Sequence, residues 1–164
     1  MSDIAVFGAG GRAGRAITAE ARRRGHRVTA VVRDPARHPD LAAEDVRVVA
    51  GDVRDPDAVT ALLPGHRAAV NAVSPASGPE ELARLGQLDE RYFVAAVDAL
   101  LAGAAVTGVP RLVVIGLFAN LVDERGRLVL DDPDVFPPAL RPFALAHTAG
   151  LDRLRAAQTP VDWL

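Results

Sequence analysis

Four glycines fall within seven residues near the start of the chain, in Gly8-Ala9-Gly10-Gly11-Arg12-Ala13-Gly14. The segment directly follows the apolar run Ile4-Ala5-Val6-Phe7 and opens a helical stretch. Small residues at such a junction let the backbone turn tightly, approach a phosphate closely and pack helix against strand. The helix N-terminus then offers unpaired N–H groups and the positive end of its dipole to an anion. The spacing fits Gly8, Gly11 and Gly14 as G-x-x-G-x-x-G better than a G-x-G-x-x-G reading, which would end on Ala13. The chemistry this predicts is capture of a dinucleotide pyrophosphate by Gly8, Gly10, Gly11, Arg12, Ala13 and Gly14. A kinase-type phosphate loop is excluded, because no Lys-Ser/Thr pair follows. A glycine-rich turn without a ligand is the plainer alternative, and the strand-before, helix-after context argues against it.

The end of the next strand bears on which dinucleotide is bound. In NAD-selective sites an acidic residue about 20 positions on holds the ribose 2′-hydroxyl. Here the second strand ends Val31-Val32-Arg33-Asp34. The Arg33 guanidinium can pair with a 2′-phosphate through charge-assisted bonds. Arg12 can reach the same group, and Arg37 is a third, weaker candidate. The expected cofactor is therefore NADP(H). NAD(H) is the alternative, with Asp34 serving the ribose. Asp52, followed by Val53, leaves the third strand and is expected to accept the adenine amino group. A turn aspartate is its plainer reading. Ala72, Val73 and Ser74 close the fourth strand with small residues that leave room for ribose and nicotinamide. Gly116 ends the fifth strand at the same carboxyl edge, where open α/β sheets bind ligands.

Those residues need a scaffold, and the pattern supplies one. Short apolar runs at Ile4–Phe7, Val28–Val32, Val46–Ala50, Ala68–Ala72 and Leu112–Ile115 alternate with helical stretches. Helices are expected from about Gly11 to Arg24, with Gly25 as C-terminal glycine, and from an Asp55 cap with Pro56 through Leu63. A long one is expected from Pro79 to Val106, broken near Gly86, and another over Ala144–Ala157. Val122–Pro142 reads as irregular, and Val161–Leu164 begins a sixth strand. The fold class predicted is α/β: a Rossmann-type, doubly wound parallel sheet in three αβα layers, forming a single domain over residues 1–164. At 164 residues and 49% hydrophobic, the chain can bury a core. A net charge of −2 leaves no electrostatic footprint for nucleic acid. With no cysteine there is no disulfide framework or thiolate metal site, and no membrane span is expected.

Together the glycine loop, Val32-Arg33-Asp34-Pro35, Gly51-Asp52-Val53-Arg54-Asp55-Pro56, Gly108 through Gly116 and Thr159 through Trp163 resemble the atypical short-chain dehydrogenase/reductase superfamily. The resemblance is to its NmrA-like, NAD(P)H-binding branch, and within that to biliverdin-IXβ/flavin reductase-type proteins. It implies cofactor contacts from Gly8, Gly11, Arg12, Ala13, Gly14, Arg33, Asp52, Val53, Ala72, Val73 and Ser74, with His147 near the nicotinamide end. It also implies one or two further strands and a substrate-covering segment after Trp163, which this sequence lacks. The superfamily's Tyr-x-x-x-Lys pair is absent: there is no lysine, and Tyr92 is the single tyrosine. The loop after the fifth strand, Gly116-Leu117-Phe118-Ala119-Asn120, carries no hydroxyl donor.

The function this implies is an NADPH-dependent reductase that passes hydride to a small carbonyl, quinone or flavin-like substrate. The alternative is a non-catalytic NADP(H) redox sensor of the NmrA type. His147, with an ordinary pKa of about 6.5, is the candidate catalytic acid, and a helix-surface histidine is its plainer reading. His26, His38 and His66 lie in expected turns and read as solvated. Asp131, Asp132 and Asp134 read as a solvated acidic loop, so no metal is expected. Arg22, Arg23 and Arg24 read as cations complementing a helix C-terminus. The apolar stripe of the Asp89–Leu101 stretch reads as packing on the sheet, and the resemblance adds a homodimer interface there. The expected partner is a small-molecule substrate, with neither nucleic acid nor membrane, in the cytoplasm.

Overall fold

The computed structural model describes residues 1–75 and 89–164. Six parallel strands form one sheet in the order β3-β2-β1-β4-β5-β6, the doubly wound Rossmann order. They are β1 (Asp3–Phe7), β2 (Arg27–Val32), β3 (Val46–Ala50), β4 (Ala68–Asn71), β5 (Arg111–Val114) and β6 (Asp162–Trp163). The helices are α1 (Arg12–Arg23), α2 (Pro56–Leu62), α3 (Tyr92–Thr107) and α4 (Arg141–Arg155). Among the described residues, no helix is long and apolar enough to cross a membrane.

By its internal contacts the chain divides into two compact units. The first holds residues 1–74, 98–115 and 158–164, and so all six strands. β2 shows why its strands read as unbroken apolar runs. Val28, Ala30 and Val32 join Val6, Ala9, Ala21 and Val70 in one cluster, with Ile17 of α1 against it. Thr29 and Val31 point the other way: Thr29 Oγ1 lies 2.9 Å from His66 Nε2, and Val31 closes on Gly51. Burial on both faces removes the polar alternation that a half-exposed strand would show. The far layer comes from α2 and the second half of α3, where Gly103 approaches Val59 and Leu63. The three layers predicted are thus present in this unit.

The second unit holds residues 75–97 and 116–157. The stretch expected to be irregular has a core of its own: Ala119, Leu130, Phe136 and Ala144 are buried together. Short 3-10 turns at Phe118–Asn120, Val129–Asp131 and Pro138–Leu140 carry it. α4 begins at Arg141, three residues before the expected start, because Pro142 fits its first turn. The expected helix from Pro79 falls partly on residues 76–88, outside the described residues, as does its break near Gly86. Beyond them, Asp89 sets a turn by accepting the Arg91 N–H at 2.9 Å, and α3 starts only at Tyr92.

The apolar stripe of α3 is buried within the chain at Tyr92, Phe93, Ala96, Val97, Leu100 and Leu101. The acidic loop is engaged by arginines, with Arg141 on Asp131 at 3.0 Å and Arg127 on Asp132 at 3.3 Å. Arg22 pairs with Asp45, while Arg23 and Arg24 both hold Glu20 and keep its carboxyl at about 2.

Candidate dinucleotide-binding site

The glycine loop leaves β1 in a turn fixed from two sides. The N–H groups of Gly8 and Ala9 both donate to Val31 O, at 3.0 and 3.3 Å, tying the loop to the end of β2. Gly8 has φ +78°, a conformation that disfavours a side chain, and a Cβ there would meet Ala72 O at 2.8 Å and Val73 Cα at 2.9 Å. At Gly14 a Cβ would enter the van der Waals shell of Gly8 O and lie 2.7 Å from Ala9 Cα. Gly8 and Gly14 are therefore fixed by the protein's own packing, which brings together the ends of β1 and β4 and the first turn of α1.

Gly11 is different. It precedes α1 with ordinary extended dihedrals (φ −77°, ψ 169°), and the nearest atom to a Cβ would be Gly8 O at 3.4 Å, an ordinary contact. Nothing among the described residues demands a glycine there. No side chain caps α1, and its first turn carries no acidic residue. Among the described residues, the backbone N–H groups of Arg12, Ala13 and Gly14 find no acceptor; the first i→i−4 bond is Arg15 N–H to Gly11 O at 2.9 Å. A helix end with orphaned donors and a side-chain-free approach fits a phosphate group.

Arginines lie at the start of α1 and on the connection that leaves β2. Among the described residues, Arg12, Arg33 and Arg37 make no side-chain hydrogen bond or ion pair, and all three are exposed. Asp34, by contrast, accepts the Ala36 N–H at 3.1 Å and caps the 3-10 turn Pro35–Arg37. Asp52 lies half-buried after β3. It takes the Arg54 backbone N–H at 2.9 Å and a guanidinium fork at 3.1 and 2.8 Å. The Arg54 hydrogen bond holds its carboxyl below the usual range, with Arg33 adding a smaller pull. Asp52 is thus a turn aspartate bound to Arg54, and Val53 behind it is buried. Past β4, buried Asn71 accepts the Val73 N–H through Oδ1 at 3.2 Å, fixing the Ala72-Val73-Ser74 turn that faces Gly8.

A second cluster over the loop has no counterpart in the sequence reading. Arg15 donates from Nε to Gly10 O at 2.9 Å, pairs with Asp40, and reaches His38 Nδ1 at 3.3 Å. The His38 ring packs on Gly10 so closely that a Cβ there would lie 2.5 Å from Cε1 and Nε2. The reading of His38 as solvated is therefore corrected. His66 is corrected too: it is buried, bonded to Leu63 O at 3.0 Å and to Thr29. The Nδ1 of half-buried His26 is likewise shut from solvent. The 3-10 turns Pro35–Arg37 and Pro39–Leu41 fold residues 38–40 back, a contact 25 residues distant that local pattern does not report.

A sequence profile of the NAD(P)H-binding family matches residues 8–164, nearly the whole chain. The chain belongs to the NAD(P)H-binding family. With its Rossmann sheet and structural neighbours, it falls within the atypical short-chain dehydrogenase/reductase superfamily, and the NmrA-like branch is consistent with this. It is 32% identical over 161 residues to the uncharacterised YwnB protein of Bacillus subtilis, covering 98% of this chain and 68% of that one. Among solved structures, a Burkholderia pseudomallei protein provisionally named as exported is 36% identical with a TM-score of 0.77, over 99% of this chain and 70% of that one. A Streptococcus pneumoniae protein provisionally named an NADH-flavin reductase is 29% identical with a TM-score of 0.71, over the same shares. The residues at the open end of α1 fit the phosphate group of a nicotinamide cofactor.

Gly116 and His147 belong to the second unit of this NAD(P)H-binding chain. Gly116 is exposed just past β5. His147 lies in the second turn of α4, not at a helix opening. Its ring stands 4.3 Å from that of Phe93 and 6.0 Å from that of Phe143. α4 and α3 meet tightly there, since a Cβ on Gly150 would lie 2.8 Å from Phe93 Cβ. Burial pushes the imidazole below its ordinary pKa, partly opposed by a backbone hydrogen bond. His147 is therefore neutral at pH 7, and it can donate a hydrogen bond but is a poor source of a proton.

Proposed function

We propose that this chain is an NADPH-dependent reductase of the atypical short-chain type, passing hydride to a small carbonyl, quinone or flavin-like substrate. The observation that carries the NADPH preference is the contrast at the end of β2: among the described residues Arg33 is unpaired, while the carboxylate of Asp34 caps a turn. A 2′-phosphate suits the first, and a ribose hydroxyl needs the second. Gly8 and Gly14 shape the loop, Gly11 leaves the approach open, and the N–H groups of Arg12, Ala13 and Gly14 receive the pyrophosphate. Asp52 is available to the adenine amino group only through lone pairs not taken by Arg54. When bound, the reduced nicotinamide supplies the hydride, so the protein's task is to hold and orient. The provisional name of the Streptococcus pneumoniae neighbour supports flavin as a substrate class. His147 is retained as a hydrogen-bond donor in this proposal, with the proton drawn from water.

In this proposal the partners are a small-molecule substrate and, at most, a second copy of the chain. Neither nucleic acid nor a membrane is invoked, and the cytoplasm is the proposed compartment. The test is oxidation of NADPH by the purified chain with flavin, quinone and carbonyl acceptors. Turnover above buffer with one class supports the reading; none with any class overturns it. A non-catalytic NADP(H) sensor is the second reading. It is favoured by the lack of lysine, by a single tyrosine buried at the start of α3, and by a histidine held neutral. Tight cofactor binding without turnover would select it.

A further inference from the structure

We propose that His38 is a specificity-determining residue, donating a hydrogen bond from Nε2 to the 2′-phosphate of the bound dinucleotide. The inference rests on the NADPH reading above and adds a ligand to it.

The argument starts from Arg15. A guanidinium has only donors, so its approach to His38 Nδ1 at 3.3 Å makes Nδ1 an acceptor. A neutral imidazole accepting at Nδ1 carries its proton on Nε2. Arg15 is itself hydrogen-bonded to Gly10 O and paired with Asp40, so the group that favours this tautomer is tied to the loop. The ring edge bearing Nε2 and Cε1 lies on Gly10, inside the glycine loop. Among the described residues, Nε2 has no hydrogen-bond partner. A donor is thus presented at the loop without an acceptor.

Its place identifies the acceptor. His38 follows Arg37 directly and stands five residues after Arg33, on the connection from β2 to β3. That connection approaches the ribose 2′ position in this fold class. With Arg12 on the loop and Arg33 and Arg37 on the connection, His38 would complete a set of donors around one anion. Arg15 acts through His38 and is a positioning residue.

The test uses adenosine 2′,5′-bisphosphate and adenosine 5′-monophosphate, which differ by the 2′-phosphate alone. Both are titrated against the wild-type chain, His38→Phe and His38→Gln. Phenylalanine keeps a ring over Gly10 and removes the donor; glutamine restores a donor near the same place. The expected result is a wild-type preference for the bisphosphate that falls about tenfold in His38→Phe, recovers at least partly in His38→Gln, and leaves the monophosphate unchanged. A wild-type preference that survives in His38→Phe overturns this inference alone. Equal loss of both nucleotides with a lower Tm also overturns it, since His38 would then only clamp the loop. Equal wild-type affinities overturn the NADPH reading and this inference with it.

Discussion

Two helices of the first unit follow strands of the same sheet, and their N-termini are built oppositely. α2 follows β3 and is sealed. Asp55 accepts the N–H groups of Asp57 and Ala58 at 3.0 and 3.1 Å, Pro56 removes a donor, and Asp57 adds negative charge to the first turn. α1 follows β1 and is left open: it has a glycine before it, no side-chain cap, no acidic residue in its first turn and, among the described residues, unpaired donors. An open end forgoes about 1 kcal/mol of capping stability. The protein accepts that at α1 and not at α2, which leaves α1 as the end free to take the ligand proposed above.

The contrast can be broken first within α1. Gly14→Ala is expected to be the most damaging change, because its Cβ would collide with the backbone of Gly8 and Ala9. Overpacking against backbone costs about 3 kcal/mol or more, lowering Tm by roughly 6–12 °C, and cofactor binding should go with it. Gly11→Ala separates the two roles. Its Cβ meets nothing closer than 3.4 Å, so Tm should shift by no more than roughly 2–4 °C, while NADPH affinity falls at least about tenfold. Calorimetry and titration on the same samples check both. A Gly11→Ala protein that binds normally would show that the open approach is not used.

At α2 the expectation reverses. Asp55→Ala should cost about 1 kcal/mol, or roughly 2–4 °C in Tm, and leave NADPH affinity unchanged. A loss of affinity there would mean that the two ends are not independent.

The smallest effect concerns His147, away from both ends. Its folded pKa is depressed by burial, so the unfolded chain binds the proton more readily. The stability tied to its neutral form is fully present above the unfolded pKa of about 6.5 and is lost as pH falls through the folded value. In Tm scans from pH 7 to 5.5, His147→Leu should show a shallower decline than the wild type. An unchanged slope would place that pH dependence elsewhere.

How much of this was legible in the sequence follows the range of the interactions. The strands, the α1 boundaries and the Asp55-Pro56 cap depend on neighbours a few residues away, and local pattern carried them. The tight glycine turn was readable for the same reason, since Gly8, Gly11 and Gly14 lie within seven residues of one another. The cluster of Arg15, His38 and Asp40 was not, because two 3-10 turns between Asp34 and Ala42 decide whether residue 38 meets Gly10. His66 looked like a turn residue, and only the crossing to Thr29 buries it. The second unit's core escaped notice because Leu130 and Phe136 sit among prolines and aspartates with no helical or strand period. Half-buried His147 was singled out through the resemblance, while part of its packing comes from Phe93, 54 residues earlier in the chain.

The most direct measurement is a parallel titration of NADPH and NADH into the folded wild-type chain at physiological salt. The open end of α1 and an Arg33 left unpaired among the described residues predict NADPH binding at least about tenfold tighter, a gap of about 1.4 kcal/mol, that collapses in Arg33→Ala while NADH is unaffected. Equal or tighter binding of NADH would contradict the reading of Arg33 and return the ribose to Asp34; binding of neither would contradict the account of α1.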